Sequence, residues 1–125
     1  MEGRPLDSVL DSEALDTIKS LEQPGTPSLL KRVIDTYLET SAPLVETISR
    51  STQEKNAEDL LQSSHSLKSS SANVGAKRLA GLCAELESFA RDEQLDDLVG
   101  RAEVVSKEYG LVVEALQVEL SNIQE

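Results

Sequence analysis

Apolar side chains recur at steps of three and four residues along most of this chain of 125 residues. That spacing places them on one face of an α-helix. Aromatic residues make up only 2% of the sequence, so a core must be built from Leu, Val, Ile and Ala. Such a composition suits helices and supplies little of the aromatic and β-branched material that sheets prefer. The pattern therefore predicts an all-α protein.

Capping residues and prolines mark where the predicted helices begin and bend. Asp11 is placed to cap a short first helix. Thr26 is placed to cap a long second helix, with Pro27 at its first position, where a missing N–H has no cost. Pro43 lies inside that second pattern and should either kink the helix or divide it in two. Asn56 should cap the third helix.

The predicted ends of the third and fourth helices complete the expected architecture. The third helix should end near Gly75, because Gly adopts the left-handed conformation at a helix end without steric cost. A fourth helix follows, and after a turn at residues 92–94 the last helix carries apolar positions over residues 95–123. Short connections make neighbouring helices antiparallel. We therefore expect a flexible lead-in over residues 1–10, and over residues 11–125 an antiparallel up-down four-helix bundle with a short additional N-terminal helix as a lid.

Charge and cysteine content restrict the partners and the compartment. The formal net charge is -11, which disfavours binding to nucleic acid or to anionic lipid. A single cysteine permits no internal disulfide and fits a reducing compartment. No apolar stretch resembles a signal peptide or a membrane span. We expect a cytoplasmic monomer with no direct membrane contact.

Motifs for autonomous catalysis are absent from the sequence. No glycine cluster forms a phosphate-binding loop or a dinucleotide fingerprint. One histidine and one cysteine do not build a usual zinc site, so we expect no metal and no cofactor. Cys83 falls on an apolar helical stripe and is interpreted as buried filler. Glu85 and Glu87 are interpreted as solvated surface charges.

The only histidine, His65, lies in the third predicted helix. It falls about 110° from the middle of the apolar arc of that helix, so the ring should be exposed. Ser69 and Ala72 share its stripe and are small, and Lys68 lies beside it. Residues 60–84 contain no acidic side chain. Because imidazole is a competent nucleophile near neutral pH, and an added phosphate would meet no like charge there, this region suits a phosphoryl carrier.

The segment His65-Ser66-Leu67-Lys68-Ser69-Ser70-Ser71, followed by Asn73-Val74-Gly75-Ala76, resembles the histidine-containing phosphotransfer (HPt) domain of bacterial phosphorelays. The motif core covers residues 65–87, and the helix pattern extends the resemblance over about residues 11–123. In that family a four-helix bundle carries one exposed histidine. That histidine takes a phosphoryl group from a receiver-domain aspartate, as in a hybrid sensor kinase, and passes it to the aspartate of a response regulator.

The resemblance implies a role for several residues. It implies that His65 is phosphorylated, that Lys68 is the cation beside it, and that Gly75 lets the third helix turn into the fourth. Ser69 stands where the family usually has Gly. Mg²⁺ is expected in the partner receiver domain.

Two further interpretations concern partners. Ala72, Lys77 and Arg78 are predicted to contribute to partner docking, from their position and charge. The rival reading is a non-phosphorylated helical interaction module that binds and inhibits a receiver or a kinase. Without a nucleotide motif, we expect a phosphoryl carrier with no kinase activity of its own.

Overall fold

The computed structural model describes residues 9–123, and every regular element in that range is an α-helix. The helices are α1 (Ser12–Ser20), α2 (Leu29–Glu54), α3 (Ala57–Asn73), α4 (Lys77–Arg91) and α5 (Val99–Ser121). Helices α2 to α5 form a closed ring in which each contacts its neighbours, and α1 packs against α2. Short connections make successive helices antiparallel. The predicted all-α four-helix bundle with a short N-terminal helix is confirmed.

The core is aliphatic, as the composition predicts, and all five helices contribute to it. Its largest fully buried side chains include Leu30, Ile34, Ile48, Leu60, Leu67, Leu79, Leu86 and Leu116. Each such side chain stabilises the fold by about 1.5–3 kcal/mol relative to exposure. Within residues 9–123, no helix combines the length and the apolarity needed to cross a bilayer.

Paired hydroxyl groups cross the core between helices. The Tyr37 hydroxyl lies 2.8 Å from the Ser71 Oγ, which joins α2 to α3. The Ser41 Oγ lies 2.7 Å from the Tyr109 hydroxyl, which joins α2 to α5. Because an unpaired buried hydroxyl is costly, these pairs favour one alignment of α2 against α3 and α5.

The start of the described chain is attached to the α3–α4 turn. Asp11 caps α1 as predicted, its side chain accepting a hydrogen bond from the Glu13 N–H at 3.1 Å. The Asp11 N–H donates to the Gly75 carbonyl oxygen at 2.8 Å. Val9 and Leu10, assigned to the lead-in from the sequence, are buried in the core. The rest of that predicted lead-in, residues 1–8, lies outside the described residues.

Gly75 lies in the predicted turn and has a φ of +81°. A Cβ atom at this position would lie 2.6 Å from the Asp11 carbonyl oxygen. Both the left-handed backbone and the close approach therefore require glycine here.

The capping prediction for α2 is wrong by two residues. The cap is Ser28, whose Oγ accepts from the Lys31 N–H at 3.1 Å. The Thr26 hydroxyl instead donates to the Gln23 carbonyl oxygen at 2.7 Å, within the preceding turn. Two hydroxyl residues were available, and the structure uses Thr26 to close the turn and Ser28 to begin the helix.

The possibility that Pro43 divides the second helix is wrong, because α2 runs without a break through that residue. Tyr37 before it and Ile48 after it are both buried in the same core. A proline inside a helix costs about 3 kcal/mol, and packing on both sides outweighs that cost here.

The last helix begins later than predicted. Helix α5 starts at Val99, and Leu95 lies in the preceding connection. Glu93 and Asp97 have φ values of +55° and +63°, a conformation that ends regular helix. Leu98 is buried although it precedes the helix. The apolar spacing before Val99 therefore comes from a connecting loop that packs on the core, and the helix itself does not extend into it.

Candidate functional site

Helix α3 presents His65 at its solvent-exposed edge. The helix begins at the predicted cap, where the Asn56 Oδ1 accepts from the Asp59 N–H at 3.0 Å. Leu60 and Leu67 face the core and are fully buried. The His65 side chain, on the other side, is 60% exposed. The predicted exposure of the imidazole is confirmed.

Glu87 is the residue around which the site is organised. Its Oε2 lies 2.9 Å from the His65 Nδ1, and its Oε1 lies 2.6 Å from the Lys68 Nζ. The Arg91 Nη2 donates to the same Oε2 at 2.9 Å. The Glu87 side chain is only 5% exposed. The interpretation of Glu87 as a solvated charge is therefore wrong, whereas Glu85 is exposed as expected.

The position of Glu87 on α4 explains its burial. Cys83, one turn before it, and Ala90, three residues after it, are both buried. A carboxylate at the edge of this apolar stripe needs charged partners when it is buried. Arg91 supplies one from the next turn of α4, and Lys68 supplies one from α3. The sequence did contain a sign of this role: Glu87 lies next to the apolar face of α4, four residues before Arg91.

These partners keep Glu87 ionised. The Lys68 hydrogen bond is the main cause that lowers the pKa of Glu87 to about 2, and the bonds from His65 and Arg91 act in the same direction against the effect of burial. An ionised carboxylate only accepts hydrogen bonds. The His65 Nδ1 must therefore carry the proton in this contact, and in the neutral imidazole the Nε2 keeps its lone pair.

The charges around the ring leave an excess of cations. One carboxylate, Glu87, faces two cations, Lys68 and Arg91, so this cluster carries one net positive charge before the ring is counted. The Lys68 side chain is 35% exposed and that of Arg91 is 61% exposed. Both reach solvent and bind the same carboxylate that the His65 ring binds, so the cluster offers positive charge to an anionic group added to the ring.

The two small residues predicted beside His65 are exposed. Ser69 and Ala72 both lie on the solvent side of α3. Within the part of the chain that the structure describes, the Ser69 hydroxyl makes no hydrogen bond to the His65 ring. The replacement of the usual family glycine by Ser69 therefore adds one exposed hydroxyl group to this stripe.

The two cations predicted for docking are both paired within the chain. The Lys77 Nζ lies 2.8 Å from the Asp11 Oδ2, at the α3–α4 turn. The Arg78 Nε lies 3.3 Å from the Oε1 of Glu108, a buried carboxylate on α5. Arg78 therefore faces α5, and the structure does not bring it to His65.

Across residues 9–123, no three or more side chains of His, Cys, Asp or Glu are grouped so that they could hold a metal ion.

Cys83 is fully buried, and burial is the main cause that raises its pKa to about 12. A protonated, buried thiol is the inert filler that the sequence predicted.

Comparisons with known proteins agree on one family. The family model described as Hpt domain matches residues 32–125. Histidine-containing phosphotransfer protein 2 of Arabidopsis thaliana is 28% identical over 103 residues, which cover 80% of this chain and 66% of that protein. Histidine-containing phosphotransfer protein 1 of the same plant is 25% identical over 114 residues, covering 90% of this chain and 73% of that protein.

A solved structure gives the same result for the fold. The crystal structure of histidine-containing phosphotransfer protein B (HptB) from Pseudomonas aeruginosa PAO1 matches with a TM-score of 0.82 and 26% identity. The match covers 93% of this chain and 97% of that one. Together with the exposed histidine on a four-helix bundle, these matches show that the chain belongs to the Hpt domain family, as its sequence motif predicted.

Proposed function

We propose that this protein is a phosphorelay intermediate whose His65 Nε2 accepts a phosphoryl group from a receiver-domain aspartate and passes it to another. Membership of the Hpt domain family supports the phosphorelay role. The observation that carries the assignment to one atom is the hydrogen bond between the His65 Nδ1 and the Glu87 Oε2. It occupies one ring nitrogen and leaves the other, on an exposed ring, with a lone pair.

The transfer step uses that lone pair. The Nε2 of neutral His65 attacks the phosphorus of an aspartyl phosphate, the N–P bond forms, and the P–O bond to the aspartate breaks. The receiver's carboxylate leaves with the electron pair of that bond. Donation is the reverse step, in which the carboxylate of a second receiver attacks the phosphorus and the Nε2 leaves as neutral imidazole. Such in-line displacement depends on positioning and on charge neutralisation.

The carboxylate of Glu87 stabilises the intermediate. Phosphorylation at Nε2 leaves the proton on Nδ1, so the ring itself becomes positively charged. The Glu87 carboxylate, 2.9 Å from that nitrogen, faces the new charge. Lys68 and Arg91 hold Glu87 in place through its two oxygens, and the net positive charge of this cluster favours an anionic group on the ring. Lys68 is therefore both the predicted cation beside the ring and a residue that positions Glu87.

The partners belong to the same proposal. They are receiver domains of a hybrid sensor kinase, a response regulator or both, and the Mg²⁺ needed for transfer is held by the receiver. The protein acts as a cytoplasmic monomer without kinase activity of its own. Incubation with ATP and Mg²⁺ alone should leave it unlabelled, and labelling of His65 under those conditions would contradict this part.

The test is a transfer profile against the receiver domains of the source organism, each phosphorylated beforehand. At least one receiver should label the wild-type protein within seconds to minutes, whereas His65→Gln should stay unlabelled. Both proteins should give the same helical circular-dichroism spectrum, because the ring is exposed. Equal labelling of the two would refute the assignment. Tight receiver binding with no phosphoryl transfer to the wild type would favour the interaction module instead.

A further inference from the structure

Helix α3 carries six serines, and their hydroxyl groups fall into two classes. Four of these serines are buried or partly buried, and each hydroxyl has a hydrogen-bond partner within the bundle: Ser63, Ser64, Ser70 and Ser71. The other two, Ser66 and Ser69, are exposed, and within residues 9–123 their hydroxyl groups make no hydrogen bond. These two hydroxyl groups are therefore available to a group that comes from solvent.

Ser69 and Lys68 flank His65 on opposite sides of α3. Lys68 is offset from His65 by about 60° around the helix, toward α4, where it contacts Glu87. Ser69 is offset by about 40° in the other direction, one turn after the ring. Because the Cα–Cβ bonds of a helix tilt toward its N-terminus, the Ser69 side chain leans toward the turn that carries His65. A free hydroxyl group therefore lies beside the ring, on the side that faces away from α4.

The orientation of the His65 ring directs its reactive nitrogen toward that same side. The Nδ1 points to α4, where it lies 2.9 Å from the Glu87 Oε2. The two nitrogens of an imidazole point well apart, so the Nε2 points away from α4 and from the cluster that Glu87 forms with Lys68 and Arg91. Residues four apart on a helix have Cβ atoms about 5–6 Å apart, a span that an imidazole carrying a phosphoryl group covers. A phosphoryl group on Nε2 therefore has oxygens on the Ser69 side of the ring.

We propose that the Ser69 hydroxyl donates a hydrogen bond to a phosphoryl oxygen on the His65 Nε2 and thereby lengthens the lifetime of the phosphohistidine. This inference rests on the proposed function, which takes Nε2 as the phosphorylated atom.

Hydrolysis of the phosphohistidine ends that lifetime. Water attacks the phosphorus, the N–P bond breaks, the neutral imidazole leaves with the electron pair of that bond, and both protons of the water stay on the phosphate. In the loose transition state of phosphoryl transfer, the phosphoryl oxygens lose negative charge as the N–P bond lengthens. A hydrogen bond to these oxygens therefore stabilises the phosphohistidine more than the transition state, and hydrolysis slows.

The test labels His65 with phosphoramidate, a small phosphoryl donor that replaces the receiver domain. The Nε2 attacks the phosphorus of phosphoramidate, the new N–P bond forms, and ammonia leaves with the electron pair of the old one. After removal of the reagent, phosphorus-31 NMR follows the decay of the phosphohistidine at pH 7. The variants are Ser69→Ala and Ser69→Thr. Ser66→Ala is the matched control, because the Ser66 hydroxyl is equally exposed and free but lies about 100° around the helix from His65.

Ser69→Ala should shorten the half-life of the phosphohistidine about three- to fivefold, the effect of one hydrogen bond to a charged acceptor at an exposed site. Ser69→Thr, which keeps the hydroxyl group, and Ser66→Ala should both stay within about 1.5-fold of the wild type. Circular dichroism should show the same helix content for all four proteins, because both positions are exposed.

The possible results separate this inference from the proposed function. An unchanged half-life for Ser69→Ala, an equal loss for Ser66→Ala, or a Ser69→Thr variant as short-lived as Ser69→Ala would overturn the hydrogen bond while leaving His65 as the phosphorylated residue. The expected half-lives in a protein that no receiver labels would support the hydrogen bond and count against the relay role. A wild-type protein that phosphoramidate does not label on His65 would contradict both.

Discussion

Replacing Glu87 with Gln removes the negative charge that joins α3 to α4 while keeping the size of the side chain. The carboxylate accepts from Lys68 across the helix pair, from Arg91 along α4, and from the His65 Nδ1. The amide oxygen of Gln accepts weaker, uncharged hydrogen bonds, and its NH₂ group repels the cations. We expect the Glu87→Gln variant to fold with a lower free energy of unfolding at neutral pH.

The size of the loss follows from the pKa of Glu87, which is about 2 in the folded protein against an ordinary value of 4.5. At about 1.4 kcal/mol per pKa unit, this difference sets a ceiling of about 3 kcal/mol. Lys68 is one-third exposed and Arg91 is more than half exposed, so water screens both contacts. We therefore expect a loss of about 1–2 kcal/mol at pH 7.

The loss must depend on pH in one direction. Because folding lowers the pKa of Glu87, its stabilisation is fully present above about pH 4.5 and disappears as pH falls toward 2. The difference in unfolding free energy between wild type and Glu87→Gln should therefore shrink to about half or less by pH 3. Other carboxylates titrate equally in both proteins and cancel in the difference.

Urea unfolding followed by far-ultraviolet circular dichroism at pH 7, 5, 4 and 3 measures this difference. Glu85→Gln is the matched control, because Glu85 lies on the same helix but is exposed, and its ion pair within residues 9–123 is with the exposed Arg101. The control should change stability by less than about 0.5 kcal/mol at every pH. A Glu87→Gln loss that stays constant from pH 7 to pH 3 would refute the charge-based explanation.

Two further substitutions test local structure, each with a matched control in urea unfolding. Gly75→Ala should cost about 2–3 kcal/mol, because a Cβ would lie 2.6 Å from the Asp11 oxygen at a φ of +81°. Gly25→Ala, with the same φ but nothing within 4 Å of the added Cβ, should cost only about 1 kcal/mol, and equal losses would argue against the close contact. Ser28→Ala should cost about 1 kcal/mol as a lost helix cap. Thr26→Ala should cost less than Ser28→Ala, and the reverse order would show that the sequence-based choice of cap was right.

The helical pattern of this sequence predicts the fold because each helix has its own apolar stripe and its own boundary residues. Asp11 and Asn56 cap helices where the sequence places them, and Gly75 lies in the turn with positive φ. These features depend on residues close in the chain, so spacing alone reveals them. The start of α5 was misplaced because Leu95 and Leu98 continue an apolar spacing that the backbone does not follow.

The site could be predicted only in part, because its central contact joins residues distant in the sequence. The exposure of His65 follows from helical geometry within α3 alone. Glu87 lies 22 residues away, and its role depends on how α3 and α4 are aligned. That alignment also decides that Arg78 turns to α5 instead of toward the ring. Helical periodicity shows on which face of a helix a side chain lies, but its contact partner is on a neighbouring helix and depends on how the two helices align.

The protonation of the His65 ring is the most direct measure of the central claim. Nitrogen-15 NMR of the imidazole at a pH where the ring is neutral distinguishes a proton on Nδ1 from one on Nε2. His65 is the only histidine in the sequence, so the side-chain signals need no assignment. The hydrogen bond to Glu87 predicts a protonated Nδ1 and a bare Nε2. A protonated Nε2 in the wild-type protein would contradict the account, because the proposed nucleophile would then lack its lone pair.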